Sequence, residues 1–391
     1  MRIGLVLNTS PSYSETFFQS KISGLKYQGF DVILFAENKA SNFDLCQVKS
    51  PPKVSSFFGI QFIMLLWKFF QLGLTAPKQS YHFFCLERNS GRSLKETIKN
   101  IYLNSHILPE KLDWLHFGFA TTALRSEHVA KAIRAKMGVS LRGYDIALYP
   151  LKHPECYRLL WHNVDKVHAI SNDLLELAYQ NGLNSEKPVK KITPAVDVSL
   201  YRRETPISTF HSPLKIFTVA RLHWKKGLEY TLEALAILKK QGIPFRYTII
   251  GAGEEYERLA FAAYQFGIQD WVSFKGKIPH DQVKSELENA DIYLQYSIQE
   301  GFCNAVLEAQ ALGLLCVVSN AEGLSENIIH GRSGWVVPKR QPRLLAEQIK
   351  AILEMDEQYL LKIRTAAIER VRNEFNLEKQ QQEFIKFYTE E

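Results

Sequence analysis

From residue 214 to residue 337 the chain changes period again and again. Short apolar, β-rich runs at 214–222, 245–250, 271–274, 292–297, 315–319 and 334–337 alternate with helical spacing at 227–241, 281–288, 304–312 and 324–329. Strands separated by helices pair in parallel, because each helix carries the chain back across the sheet. This half therefore reads as a parallel sheet with helices on both faces. The first half repeats the pattern, with strands at 2–8, 31–35, 113–117, 139–141, 166–171 and 189–193 and helices at 15–27, 120–137 and 173–180. A polar stretch with three prolines, ending at Pro213, divides the two halves. The expected organisation is a first domain at 1–195, a linker at 196–213, a second domain at 214–375 and a closing helical segment at 376–391.

Within the second half, the stretch EGFCNAVLEAQALG at 300–313 joins two expected strands through a short loop and an apolar helix. Asn304 is the expected cap of that helix. The free amides and dipole of the helix start favour an anion at the carboxyl edge of the sheet. Glu300 and Glu308 frame this position, and a carboxylate accepts two hydroxyl hydrogen bonds at once. A phosphate held between carboxylates needs cations. Arg221 and Lys226, at the end of the run at 214–222, supply a fork and a point charge for one diphosphate. Each of these side chains taken alone also reads as a solvated surface charge.

These motifs resemble the retaining glycosyltransferase family 4, which has the GT-B architecture of two Rossmann-like, doubly wound domains facing a cleft. EGFCNAVLEAQALG resembles its E-x7-E signature and ARLHWKKG at 220–227 its R…KG element. The resemblance implies that Arg221 and Lys226 hold the donor diphosphate, with the backbone of Gly301, Phe302, Cys303 and Asn304 nearby. It also implies that Glu308 holds the ribose and Glu300 touches the donor sugar. PSYSETF at 11–17 resembles the start of exopolysaccharide and colanic-acid-type members, which brings Ser14 and Glu15 to the cleft. WLHFG at 114–118 and LRGYDI at 141–146 resemble two strand ends of the first domain. There Arg142 stands where the family carries a histidine, and His116, Arg142 and Asp145 become cleft candidates. His116 also reads as a packed core histidine. GLSENIIHGRSG at 323–334 resembles a further family segment, so Glu326 lines the site or simply opens a helix.

The resemblance implies a retaining enzyme that moves a sugar from a nucleoside-diphosphate sugar to an acceptor hydroxyl on a glycan or lipid-linked acceptor, in surface-polysaccharide synthesis. It implies no metal and no cofactor beyond the donor, and the sequence has no D-x-D. An epimerase or phosphorylase on the same architecture, or a non-catalytic nucleotide-sugar binding protein, are the alternatives. A dinucleotide enzyme is disfavoured because neither half opens with a full G-x-G-x-x-G turn.

The net charge of +7 favours anionic partners, but no nucleic-acid motif accompanies it. Five cysteines without C-x-x-C spacing fit a reducing cytoplasm. The most apolar run, at 54–76, is interrupted by Gln61, Lys68 and Gln71. It reads as a core helix of the first domain, or as an amphipathic helix in peripheral contact with the inner face of a membrane; a span needs a longer unbroken run.

Overall fold

The computed structural model describes all residues except 12–15, 39–42, 204–209 and 391. The chain forms two compact units, one of residues 1–192 with 381–391 and one of residues 193–380.

The first unit is built on a parallel sheet of seven strands among the described residues: β1 (Arg2–Val6), β2 (Asp31–Phe35), β3 (Gln47–Lys49), β4 (Trp114–Phe117), β5 (Lys136–Leu141), β6 (Lys166–Ala169) and β7 (Val189–Lys191). Their order is β3-β2-β1-β4-β5-β6-β7, so the winding reverses between β1 and β4. Successive side chains of a strand face opposite sides. Accordingly Val32 and Leu34 of β2 enter one buried cluster, while Ile33 and Phe35 enter the other. The helix Leu377–Thr389 contributes Phe384, Phe387 and Tyr388 to the first of these clusters, beside Phe17, Phe18 and Ile22 of the helix Thr16–Tyr27.

The second unit has six parallel strands among the described residues: β8 (Leu214–Val219), β9 (Phe245–Ile250), β10 (Val272–Gly276), β11 (Ile292–Gln295), β12 (Leu315–Ser319) and β13 (Trp335–Val337). Their order, β10-β9-β8-β11-β12-β13, reverses between β8 and β11. At such a switch point the two neighbouring loops leave the sheet in opposite directions, and a crevice opens above the strand ends.

Two expectations fail in the first unit. Residues 120–137 are not one helix. They form a 3-10 turn (Ala120–Ala123), a short helix (Val129–Ile133) and then β5. Arg125 and Arg134 take φ values of 70° and 62°, which end regular helix on either side. The apolar run at 54–76 is a helix, Phe58–Thr75, but not a core helix: Leu72 is its one buried residue.

Candidate active site

The site is assembled at the switch point of the second unit. After β8 the chain passes Arg221, makes a 3-10 turn at Trp224–Lys226 and enters the helix Leu228–Lys240 through Gly227. Gly227 has φ 59°, and a Cβ there would lie 2.3 Å from the carbonyl oxygen of Tyr296. Only glycine lets the two loops approach this closely. The carbonyl of Lys225 accepts the amides of Ile298 (2.6 Å) and Gln299 (3.2 Å), which ties the β8 loop to the β11 loop.

This clamp brings Lys226 onto Glu300. Their ammonium and carboxylate form an ion pair with both side chains largely buried. Burial alone would lower the pKa of Lys226, but the Glu300 carboxylate outweighs it and the pKa is raised. Lys226 therefore stays charged. The Ser297 hydroxyl donates to Glu300 Oε2 at 3.1 Å, and Gln295 Nε2 donates to the Ser297 hydroxyl at 2.9 Å. Tyr293 donates to Gln295 Oε1 at 3.0 Å, so a line of buried polar groups along β11 fixes the carboxylate. Arg221 is exposed and has no hydrogen-bond partner among the described residues. A cavity of about 300 Å³ opens beside the same turn, lined by His223, Trp224, Gly227 and Arg258.

The loop at 300–304 divides its amides between structure and crevice. The Glu300 amide donates to Glu322 Oε2 at 2.9 Å. The Cys303 amide donates to Asn327 Oδ1 at 3.1 Å, and Asn327 Nδ2 returns a bond to the Cys303 carbonyl at 3.0 Å. The amides of Gly301, Phe302 and Asn304 have no partner among the described residues. Cys303 thus leaves the expected diphosphate set, because its amide is engaged by a fully buried asparagine. Its thiol is buried as well, which pushes its pKa up to about 12. Asn304 is the first residue of the helix Asn304–Ala311 rather than its cap; Cys303 stands at the cap position without a side-chain bond. Phe302 is buried and its ring packs at 5.6 Å from that of Phe375.

Glu308, one turn further on, is 9% exposed. It faces His280 Nε2 at 3.4 Å, and the Tyr201 hydroxyl lies 3.1 Å from the same ring. The hydrogen bond to Glu308 raises the pKa of His280 against the opposing effect of partial burial. Sequence reasoning missed His280, which sits at the first position of a different helix, His280–Glu288. It also missed Glu322. The family pattern points to Glu326, but the carboxylate that reaches the loop is Glu322, which also lies 3.4 Å from Lys339. Glu326 is half-buried in the turn Leu324–Asn327, and its carbonyl accepts from Arg370.

The first-unit candidates have other surroundings. His116 is fully buried inside β4, opposite Gly138 of β5, where a Cβ would stand 2.8 Å from its Nδ1. Its ring contacts Ser140 Oγ (2.7 Å), the Tyr388 hydroxyl (2.9 Å) and Lys21 Nζ (3.3 Å). Ser140 continues to His168 (2.8 Å), which reaches the carbonyl of Ile192 (2.9 Å). The cleft assignment of His116 is corrected: it joins the final helix to the sheet inside the core. Asp145 is likewise buried, accepting the amides of Ala120 (3.0 Å), Gly143 (2.8 Å) and Arg142 (3.1 Å). It holds the loop after β5 and is not a cleft residue. Arg142 stands half-buried at the end of β5, its guanidinium over the rings of Phe17 (3.9 Å) and Phe18 (4.5 Å). Ser14 and Glu15 lie outside the described residues. Among the described residues no three His, Cys, Asp or Glu side chains converge on a metal position.

The buried histidines carry a consequence for stability. Burial first, and then the Lys21 charge, hold the pKa values of His116 and His168 well below the usual histidine range. In the unfolded chain both take up protons near pH 6.5. The unfolded state thus binds more protons below that pH, and stability present above it is lost as the pH falls. The melting temperature is expected to drop between about pH 7 and pH 5, and His168→Gln to flatten that drop. A pH-independent melting temperature in the wild-type chain would refute the burial argument.

Residues 203–373 match the family model described as glycosyl transferases group 1. The "Putative colanic acid biosynthesis glycosyltransferase WcaL" of Escherichia coli K12 is 33% identical over 270 residues, 67% of this chain. Residues 203–373 carry the pattern of the glycosyl transferases group 1 family. The "Amylovoran biosynthesis glycosyltransferase AmsK" of Erwinia amylovora, also similar, is 32% identical over 270 residues. Both alignments span 66% of the relative's own length, just under two thirds. Among solved structures, Anabaena Alr3699/HepE in complex with UDP is similar over 98% of both chains, with a TM-score of 0.73 at 16% identity. The lipopolysaccharide outer core galactosyltransferase WaaB is similar over 99% of both, with a TM-score of 0.65 at 16% identity. At that identity the likeness establishes the fold, which is GT-B. In the family's E-x7-E element, the two glutamates of this chain are Glu300, paired with Lys226, and Glu308, paired with His280.

Proposed function

We propose that the chain is a retaining, metal-independent glycosyltransferase of surface-polysaccharide or glycan synthesis. It would move a sugar from a nucleoside-diphosphate sugar to a hydroxyl of a glycan or lipid-linked acceptor. The observation that carries this reading is the pairing of Lys226 with Glu300 beside exposed Arg221 and the amides of Gly301, Phe302 and Asn304. Two cations and a helix start face the position where a diphosphate leaves, while two carboxylates stand ready for sugar and ribose hydroxyls.

In the transfer, the bond between the anomeric carbon and the diphosphate oxygen breaks and the acceptor oxygen bonds to that carbon. Positive charge grows on the sugar and negative charge on the diphosphate. Arg221, Lys226 and the loop amides answer the second charge, and do so best where water is excluded. Retention follows the family resemblance: the acceptor attacks from the face that the diphosphate leaves and gives up its proton to a diphosphate oxygen. Glu308, oriented by His280, accepts the ribose hydroxyls.

An acceptor site fits the cavity of about 640 Å³ in the first unit, at the carboxyl ends of β1 and β2, lined by Asn8, Glu37, Lys53, Asn104 and Thr122 among others. We place the enzyme in the cytoplasm, which its five free cysteines fit.

The test is a thermal-shift panel with UDP, GDP, ADP and CMP, followed by donor hydrolysis. HepE is described in complex with UDP and with UDP-glucose, so uridine donors come first. A selective ligand at a hundred times its Kd adds about 2.7 kcal/mol. That shift is expected to vanish in the double variant Arg221→Ala with Glu308→Ala. No shift with any nucleotide would remove the reading.

A further inference from the structure

The helix Phe58–Thr75 is inverted relative to an ordinary surface helix. Of its polar residues, Gln61 and Lys68 share the half-buried side with Met64, Leu65, Phe69 and buried Leu72, which leans on the helices Pro77–Asn89 and Leu94–Leu103, while Gln71 and Thr75 are exposed. The outward side carries Phe58 (83% exposed), Phe62, Ile63, Leu66, Trp67, Phe70 and Leu74 (71% exposed). In water the outward face of a helix is polar. A contiguous apolar face of this size on a soluble surface marks a docking site.

The charge around this face selects its occupant. The helix contains no acidic residue. From Lys53 to Leu103 the chain has seven lysines and arginines against two glutamates. Glu87 is buried and paired with Arg92, and Glu96 is exposed in a capping box with Ser93; with both counted, the stretch keeps an excess of lysine and arginine. Lys53 and Lys78 are exposed at the two ends of the helix. An isologous contact between two copies would set these like charges against each other. An anionic lipid surface neutralises them and takes up the apolar side chains together. The helix is long and apolar enough to cross a membrane, but one side of it rests on its own unit, with Phe69 packed against the core, which favours lying along a surface.

We propose that the outward face of Phe58–Thr75 is a membrane-docking surface, lying in the plane of an anionic bilayer with its apolar side chains among the upper acyl chains. The inference does not depend on the transferase reading. The chain from Pro51 to Val54 links this helix to the lining of the 640 Å³ cavity, so a docked helix holds that cavity's mouth near the headgroups.

Flotation of the full chain with phosphatidylcholine vesicles, with and without phosphatidylglycerol, tests it. The wild type is expected to float with the anionic vesicles and to be released by high salt. The double variant Leu66→Glu with Phe70→Glu is expected to bind at least about tenfold less. Both positions point outward, so its melting temperature should match the wild type. A second variant, Lys53→Gln with Lys78→Gln, is expected to lose preference for anionic vesicles while keeping the apolar face. Equal flotation of the Leu66/Phe70 variant would overturn the proposal, as would failure of the wild type to float. Equal binding to neutral vesicles would overturn its anionic part. A wild-type dimer by sedimentation, broken by the Leu66/Phe70 variant and without flotation, would show that a second copy covers the face.

Discussion

Lys226→Met is expected to lower donor turnover by about a hundredfold or more, an effect typical of removing one group that stabilises developing anionic charge. Two losses act together. The leaving diphosphate loses its buried cation, and Glu300 loses the partner that holds it over the crevice. Ser297 remains as a donor to the same carboxylate oxygen, so the carboxylate keeps one of its two anchors. Breaking a buried pair from one side also costs stability, up to about 3 kcal/mol, because the remaining charge is uncompensated. The companion Lys226→Met with Glu300→Gln separates the two effects. It should recover stability, measured by urea unfolding, without recovering turnover. Wild-type turnover in Lys226→Met would sink the assignment of Lys226 to the diphosphate.

Gly251→Ala is expected to destabilise the second unit by at least about 3 kcal/mol. Gly251 has φ 141°, which side-chain-bearing residues rarely adopt, and its Cβ would lie 1.9 Å from the carbonyl oxygen of Ala220. That oxygen belongs to backbone and cannot swing aside. Around it the amides of Ala220 and Leu222 bond to Ile250 (3.0 Å) and Ala252 (3.1 Å), and the Gly251 amide bonds to Gly276 (2.9 Å). These bonds hold the strand end that presents Arg221, so nucleotide binding should fall with stability. Gly267→Ala is the control. It also has positive φ, 65°, but meets nothing within 4 Å. Its cost should stay near 1–2 kcal/mol. Equal effects at the two glycines would show that conformation, and not the approach to Ala220, decides the outcome.

The inner strands β11 and β12 of the second unit were legible because fully buried parallel strands are short apolar runs between helical periods. Residues 315–319 form a strand with the expected limits, and the helix expected at 227–241 is Leu228–Lys240. The break in residues 120–137 was not legible. Its cause is left-handed backbone at Arg125 and Arg134, residues with no local preference for it. In the site, Arg221, Lys226, Glu300 and Glu308 carried chemical signals at strand and helix ends. His280 did not, because nothing in its neighbourhood points to Glu308; the segment at 323–334 was singled out, but single side chains there do not tell that Glu322 and Asn327, and not Glu326, reach the loop.

The chain by itself determined the alternation of elements, hence two parallel-sheet units, and the types of group that gather where a strand ends. These follow from period and from the chemistry of single side chains, which are local. Only the tertiary structure decided which groups meet. Lys226 and Glu300 lie 74 positions apart and touch because β8 and β11 are neighbours at the switch point. His116 became a core residue because Gly138 leaves room for its ring beside Ser140 and Tyr388. The apolar helix Phe58–Thr75 became a surface because the side that carries Gln61, Lys68 and Leu72 packs on its unit and leaves most of its large apolar side chains outward. Hydrophobicity states how much a segment gains by leaving water; the packing of its neighbours decides which face does so.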